Sequence, residues 1–513
     1  MNPLPPRPPT LWGLLEQRVA ATPDRVLVSD EHGRSLTAAE WHRAAEEVAA
    51  ALAERGVGEG TPVSWQLPTI IESAVVLLAL ARLGAVQTPV IPILRRREVA
   101  FIAGQTGARL LITPSGWRGF DYASMAAEVA DEVGCALMTV ERGVLARAGP
   151  ERLPPPPSGE GEPVRFVYYS SGTTAEPKGG RHTDGSAMAS ANGIIASMAV
   201  GPDDCLAVPF PYTHIGGMSF TTTALSTGCR LVFVEAFDPQ RSPLVLATHA
   251  PTMLGMAVPF FRAYLDAQRR HGPEPLFPHV RAFNCGGAPK PPEIHYELRE
   301  VFGAGTLSGW GLTEFPIATS SRLDDTDEER ATTEGRPVPG VEIRVVGPDG
   351  AVLEPGEEGE LRVKGPQMIV GYVDGSLDAD AFDEDGWFCT GDLGVVGPRG
   401  HVRITGRLKD IIIRNAESIS TQEVENVLYA HPKIRDVAVI GVPDERTGER
   451  GCAIVVLADD AVPLDLAEMA EHCRAQQLAT HKIPEQLVIV DALPRNSMGK
   501  ILKQELRAAH GTT

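Results

Sequence analysis

At 513 residues the chain exceeds what one hydrophobic core usually serves, so more than one domain is expected. Hydrophobic residues make up 43% and charged residues 22%, the balance of an ordinary globular protein rather than a disordered or fibrous one. The formal net charge of −19 argues against a nucleic-acid backbone as the main partner. It leaves room for a small anionic ligand, which responds to local charge rather than the sum. Seven cysteines (Cys135, Cys205, Cys229, Cys285, Cys389, Cys452, Cys473) are scattered without a C-x-x-C pair. They read as reduced thiols and suggest neither a disulfide framework nor a zinc site.

The opening MNPLPPRPPT lacks the basic-then-apolar order of a signal peptide. From 11 to 150, helical patterns alternate with short apolar strands. LWGLLEQRVAATPD is amphipathic and stops at Pro23, and AAEWHRAAEEVAAALAERG carries helical spacing up to Gly56. SAVVLLALARLGAV, the most apolar run, contains Arg82 and is too short to span a bilayer, so it predicts a buried helix. A soluble, cytoplasmic protein is expected. RLLIT and CALMTV follow as strands, giving an α/β layering. ERLPPPPSGEGEP (151–163) is a proline-rich connector with no capacity for a core.

Alternation resumes from 164 to about 335, with strands CLAVPF, CRLVFV and VRAFNCGG. From 336 to 405, tight Gly-rich turns separate short strands (GVEIRVVGPDG, GELRVKG, GWFCTGDLG), predicting a small β-barrel or sheet. Beyond Gly406 a compact α+β segment is expected. It includes a capping box of Ser420 with Glu423, strands DVAVIGV and CAIVVLA, and a helix from about 465 to 477. No internal repeats are visible.

One loop stands out. YYSSGTTAEPKGG (168–180) concentrates Ser170, Ser171, Thr173 and Thr174 before a single cation, Lys178. Gly/Ser/Thr turns present backbone N–H groups and hydroxyls to anions, and lysine adds a point charge. The spacing is not that of a P-loop, because Pro177 precedes Lys178 and glycines follow it. Taken alone, the stretch reads equally well as a polar surface turn.

Five further stretches follow in order: GGAP (286–289), GWGLTE (309–314), TGDLG (390–394), GRLKD (406–410) and PRNSMGKILK near the end. Together with the loop, they resemble the adenylate-forming superfamily of acyl-CoA synthetases, peptide-synthetase adenylation domains and luciferases, over essentially the whole chain. The set is most like a stand-alone acyl-CoA ligase. The resemblance implies an α/β fold with a large N-terminal domain (1–406) of two sheet subdomains plus a small β-barrel. A small, mobile α+β domain (407–513) would pivot near Lys409. It also implies that a carboxylate is joined to the α-phosphate of ATP, releasing pyrophosphate, before transfer to a thiol.

By this resemblance, Ser171, Gly172, Thr173, Thr174 and Lys178 cover the β- and γ-phosphates. The loop departs from the family pattern at Ala175, where glycine is usual. Gly287, Ala288 and Pro289 lie along the adenine, Trp310 stacks on it with Gly311 beside it, and Thr313 bonds the α-phosphate. Glu314 would hold Mg²⁺, a hard cation suited to a carboxylate. Asp392 takes the ribose hydroxyls, joined by Arg407. Lys500 reaches the carboxylate and the bridging oxygens during adenylation, and rotation of the small domain withdraws it afterwards.

The acyl pocket is less legible. Tyr212, His214, Gly216, Gly217, Phe220, Met256 and Gly286 are expected to line an apolar cavity, with ordinary core packing as the alternative for each. Amino-acid-activating relatives place an aspartate near His214, but none is present here. A buried ammonium without a counter-charge is costly, so a fatty, alicyclic or aromatic acid is expected. No carrier segment follows residue 513, which favours coenzyme A as acceptor. By the resemblance, Asn415 and Ala416 stand where many relatives have two glycines, in a loop that usually lies along the pantetheine tunnel. The expected partners are a small carboxylic acid and CoA, with ATP and Mg²⁺, no nucleic acid, no transmembrane segment, and a homodimer possible. Three alternatives stay open: loading of a separate carrier protein, an adenylate-using oxygenase, and a non-catalytic nucleotide-binding protein.

Overall fold

The computed structural model of the protein describes residues 8–170, 177–287, 290–414, 417–444, 446–458, 464–496 and 499–511. Two α/β sheets dominate the first part of the chain. One has nine strands, in the order Arg336–Pro337, Thr319–Ser320, Thr306–Trp310, Ala282–Gly286, Met253–Met256, Cys205–Val208, Arg230–Phe233, Val26–Asp30, Ser35–Thr37. Its centre is parallel and its margins antiparallel. The second has six strands, five of them parallel and one, Lys178–Thr183, folded back antiparallel on Val164–Ser170 at the edge.

The helices form where the sequence predicts. Thr37 caps Ala38–Ala53, its hydroxyl accepting from Glu40 N at 3.2 Å while the Glu40 carboxylate accepts from Thr37 N at 2.9 Å. The apolar run becomes the helix Ile71–Leu83, buried along its whole length. Arg82 within it ends on the Pro154 carbonyl at 2.8 Å, which ties the proline-rich connector down. Among the described residues no helix is long and apolar enough to cross a membrane. All seven cysteines are free thiols.

The segment expected as a small β-barrel or sheet is the sheet, open, four-stranded and antiparallel. Its order is Glu342–Val346, Glu358–Lys364, Phe388–Val396, Val402–Arg407. Four strands are too few to close around a filled interior. One face instead packs Val345, Leu361, Val363 and Phe388 against Trp310 and Phe315, beside the end of a parallel strand. The last sheet gathers Glu417–Ser420, Ile411–Arg414, Gly448–Leu457 and Ile434–Asp444, with Gln486–Ile489 added in parallel. The Ser420 hydroxyl accepts from Glu423 N at 3.3 Å, as the capping pattern predicts. The Glu423 carboxylate, however, turns to Lys482 at 2.7 Å, so the reciprocal half of the box is absent.

Candidate active site

Ligands of open α/β sheets bind outside the carboxyl ends of parallel strands. Here the strands Ala282–Gly286 and Thr306–Trp310 end side by side, with Gly286 paired to Gly309. A cavity of about 480 Å³ opens there. Four cations reach it from separate elements: Lys178 from the hairpin strand, Arg407 from the end of Val402–Arg407, Lys409 just after it, and Lys500 from the C-terminal segment.

The Asp392–Arg407 pair is a product of strand register. The two residues face each other across Phe388–Val396 and Val402–Arg407, and Arg407 Nε lies 2.6 Å from Asp392 Oδ1. Trp310 Nε1 donates to Asp392 Oδ2 at 2.7 Å. The indole expected only as a stacking face therefore also fixes this carboxylate, which is 2% exposed. Also on the cavity wall, the Tyr372 hydroxyl donates to Glu314 Oε1 at 2.9 Å, and Lys178 Nζ lies 5.9 Å from the Tyr372 ring centre. Burial, followed by the Glu314 charge, pushes the Tyr372 phenol far up, so it stays a donor.

Lys500 is held down to about 8, first by burial and then by the Arg407 charge, with Asp392 pulling the other way. Burial and Arg407 also lower Lys409. Cations crowded enough to depress one another form a preorganised anion site. The segment bearing Lys500 seats against the start of the helix Val258–His271. Gly499 has φ +81°, and a Cβ there would come 3.5 Å from Pro259 Cγ.

The other end of the cavity is apolar, walled by Ile194, Met198, Phe220, Met256 and Ile317. His214 lies there at the N-terminus of the helix Ile215–Thr227, its Nδ1 accepting from Gly216 N at 3.3 Å. Burial lowers its pKa to about 4. The ring is therefore neutral, and with Nδ1 accepting, Nε2 carries the hydrogen. Phe220, Met256, Gly216 and Gly286 line the cavity. Tyr212 and Gly217 do not. Tyr212 is 1% exposed and hydrogen-bonds Thr221 within the core. Gly217 is a close-approach position, where a Cβ would fall 1.8 Å from the Tyr212 carbonyl. The helix begins at Ile215, and its tight entry turn folds these two inward.

The AMP-binding enzyme family model matches residues 15–373, and the AMP-binding enzyme C-terminal domain matches residues 423–500. The chain belongs to the AMP-binding enzyme family, the adenylate-forming ligases. It is 32% identical over 516 residues to the medium-chain fatty-acid–CoA ligase of Escherichia coli (strain K12), spanning 97% of this chain and 91% of that one. It is 33% identical over 516 residues to the salicyl-AMP ligase / salicyl-S-ArCP synthetase of Mycobacterium tuberculosis (strain ATCC 25618 / H37Rv), spanning 97% and 90%. Among solved structures, ATP-bound MatB from Rhodopseudomonas palustris superposes with a TM-score of 0.89 at 28% identity, covering 98% of this chain and 99% of that one.

Of the residues singled out in this adenylate-forming ligase, Lys178, Gly286, Gly287, Trp310, Gly311, Thr313, Glu314, Arg407, Lys409 and Lys500 line one cavity, with Asp392 bonded to its wall. Ser171, Gly172, Thr173, Thr174, Ala288, Pro289, Asn415 and Ala416 lie outside the described residues. The donor set fits a magnesium nucleotide. Glu314 offers a buried carboxylate with one oxygen already oriented by Tyr372, the cations suit a polyphosphate, and Asp392 Oδ1 accepts no well-aligned hydrogen bond.

Three contributors escaped the sequence reading. Tyr372 reaches Glu314 because residues 370–373 pair along the hairpin strand, with Val373 N on Gly179 O at 2.8 Å and Val370 N on Arg181 O at 3.0 Å. His182, fully buried, places Nε2 2.9 Å from the Thr313 carbonyl and Nδ1 3.1 Å from the Ser186 hydroxyl. Asn284 faces the cavity from the middle of its strand. None sits in a motif, and only Tyr372, an aromatic between glycines and aspartates, offers a local signal.

Proposed function

We propose that the protein is an ATP-dependent carboxylic acid:CoA ligase. It would form an acyl-adenylate and pyrophosphate, then an acyl-CoA thioester with release of AMP. The observation that carries this reading is the division of one cavity into a cationic end, with Lys178, Arg407, Lys409 and Lys500, and an apolar end at His214, Phe220 and Met256. A carboxylate and a polyphosphate repel each other, so positioned cations are the main resource for joining them. Lys178 holds the leaving pyrophosphate, with the 171–174 hydroxyls of the same loop. Thr313 bonds the α-phosphate and Lys500 neutralises charge between nucleophile and phosphoryl group. Asp392 and Arg407 orient the ribose. Glu314 would hold Mg²⁺, which supplies further charge neutralisation when bound.

The acid is a fatty, alicyclic or aromatic one. Among the described residues the carboxylates that line the cavity are Glu314, on the GWGLTE stretch, and Asp380, beside the four-stranded sheet, so an α-ammonium finds no described counter-charge at the apolar end. For the second half-reaction, residues 407–513 pivot about Lys409, withdrawing Lys500 and opening a thiol route past Asn415 and Ala416. Likeness to the salicyl-AMP ligase / salicyl-S-ArCP synthetase supports a second reading, in which the adenylate is delivered to a carrier protein.

Acid-dependent pyrophosphate exchange, followed by acyl-CoA formation on adding CoA, tests the proposal. Exchange with hexanoate, benzoate or cyclohexanecarboxylate should exceed that with any common amino acid. Exchange without any thioester at saturating CoA would replace the CoA reading by carrier loading. No acid-dependent exchange at all would leave nucleotide binding without catalysis.

A further inference from the structure

In the strand Ala282–Gly286, Phe283 and Cys285 are buried in the core, while Asn284 and Gly286 are partly accessible. Alternation along the strand puts Asn284 on the face that carries Gly286, toward the cavity. The Asn284 carboxamide borders both the main cavity and a small recess behind it. Met198, Phe220 and Met256 form the rest of the partition between the two. Beyond that partition the recess wall is apolar, with Leu206, Phe210 and Leu254. Among the described residues the carboxamide has no hydrogen-bond partner, although it carries two donors and an acceptor.

An unpaired amide facing hydrocarbon is a poor design for a plain alkyl tail. Binding such a tail strips water from the amide and returns nothing, whereas a hydroxyl or carbonyl on the tail restores the bond. The substituent must also be neutral, because among the described residues the cavity's cations belong to its nucleotide end and its carboxylates, Glu314 and Asp380, do not line the recess at the Met198–Met256 partition. His214 adds a second neutral donor, its Nε2–H, at the same apolar end.

We infer that Asn284 is a specificity-determining residue, and that the acid activated here carries an uncharged hydroxyl or carbonyl on its tail. This rests on the carboxylate-activating reading and narrows its substrate class. The test is pyrophosphate exchange on matched pairs: hexanoate with 6-hydroxyhexanoate, benzoate with 4-hydroxybenzoate, cyclohexanecarboxylate with its 4-hydroxy analogue. In the wild type, the hydroxylated member of at least one pair should lead in kcat/KM by about 10- to 100-fold. Asn284→Leu should invert that preference. Should Asn284→Leu fail to bind ATP, Asn284→Ala is read in its place and should abolish the preference.

Plain acids leading in every pair would overturn the inference while leaving adenylation intact. So would a hydroxyl preference that survives removal of the carboxamide. Absence of exchange with every acid would overturn the adenylation reading itself, and this inference with it.

Discussion

Lys500 combines its proposed catalytic role with a depressed proton affinity. Burial and the neighbouring Arg407 hold it to about 8, so in the free enzyme it is half deprotonated only slightly above neutrality. Its proposed role needs the ammonium. Rising pH removes that charge, so kcat/KM for adenylation should fall as pH passes about 8. In the nucleotide complex the added phosphate charge favours the ammonium, and the inflection in kcat should lie higher. Lys500→Arg should push the alkaline limb away, since a guanidinium does not titrate there. Lys500→Ala should slow acyl-AMP formation by about 10²–10³ while sparing thioester formation from supplied acyl-AMP. Equal loss of both half-reactions, measured separately, would remove the assigned role.

The hairpin strand Lys178–Thr183 is the element that organises one wall of the candidate site. Its first residue carries the cation and its middle pairs with residues 370–373, which bring Tyr372 to Glu314. Near its end, His182 reaches the Thr313 carbonyl. That carbonyl can only accept, so Nε2 carries the hydrogen, and burial keeps the ring neutral by lowering its pKa to about 4. His182→Ala leaves the Thr313 carbonyl without its side-chain donor. It should cost on the order of 1–3 kcal/mol of stability and slow adenylation by about tenfold through displacement of the Thr313–Glu314 turn. His182→Gln, whose amide can reproduce the Nε2–H, should restore most of both. If Gln behaved like Ala in urea unfolding and in exchange assays, the carbonyl bond would not be what positions the turn.

At the scale of the whole molecule, buried titratable groups set an acid limit. His182, His214 and His295 are all held at about 4 against an ordinary 6.5. Between those values the unfolded chain binds protons that the folded one does not, so stability falls as pH falls, by about 1.4 kcal/mol per unit for each histidine. Asp184 opposes this. Burial raises it to about 6, so below that pH the folded state takes the proton first and recovers about one histidine's share. The net loss from pH 7 to 5 should be on the order of 4 kcal/mol, read by urea unfolding of the large domain. His182→Gln should flatten the profile by one histidine's share. A wild-type stability that stays level or rises over that interval would contradict the assignment of neutral buried histidines.

By itself, the sequence determined the covalent order of the chemistry and the local structure around it. Helical spacing defines Ala38–Ala53, and the apolar run defines a helix too short for a membrane. Glycine-punctuated motifs announce the cationic site one residue at a time. These signals are legible because each depends on neighbours a few positions apart. What joins distant segments was decided only by tertiary structure. Strand register sets Asp392 against Arg407 and lets Trp310 grip the same carboxylate. The edge pairing of 370–373 delivers Tyr372 to Glu314, and the phase of Ala282–Gly286 turns Asn284 toward the cavity. The tight entry to Ile215–Thr227 likewise removes Tyr212 and Gly217 from that cavity. Such contacts follow from pairing partners far away in the chain, for which a linear pattern carries no periodic signal.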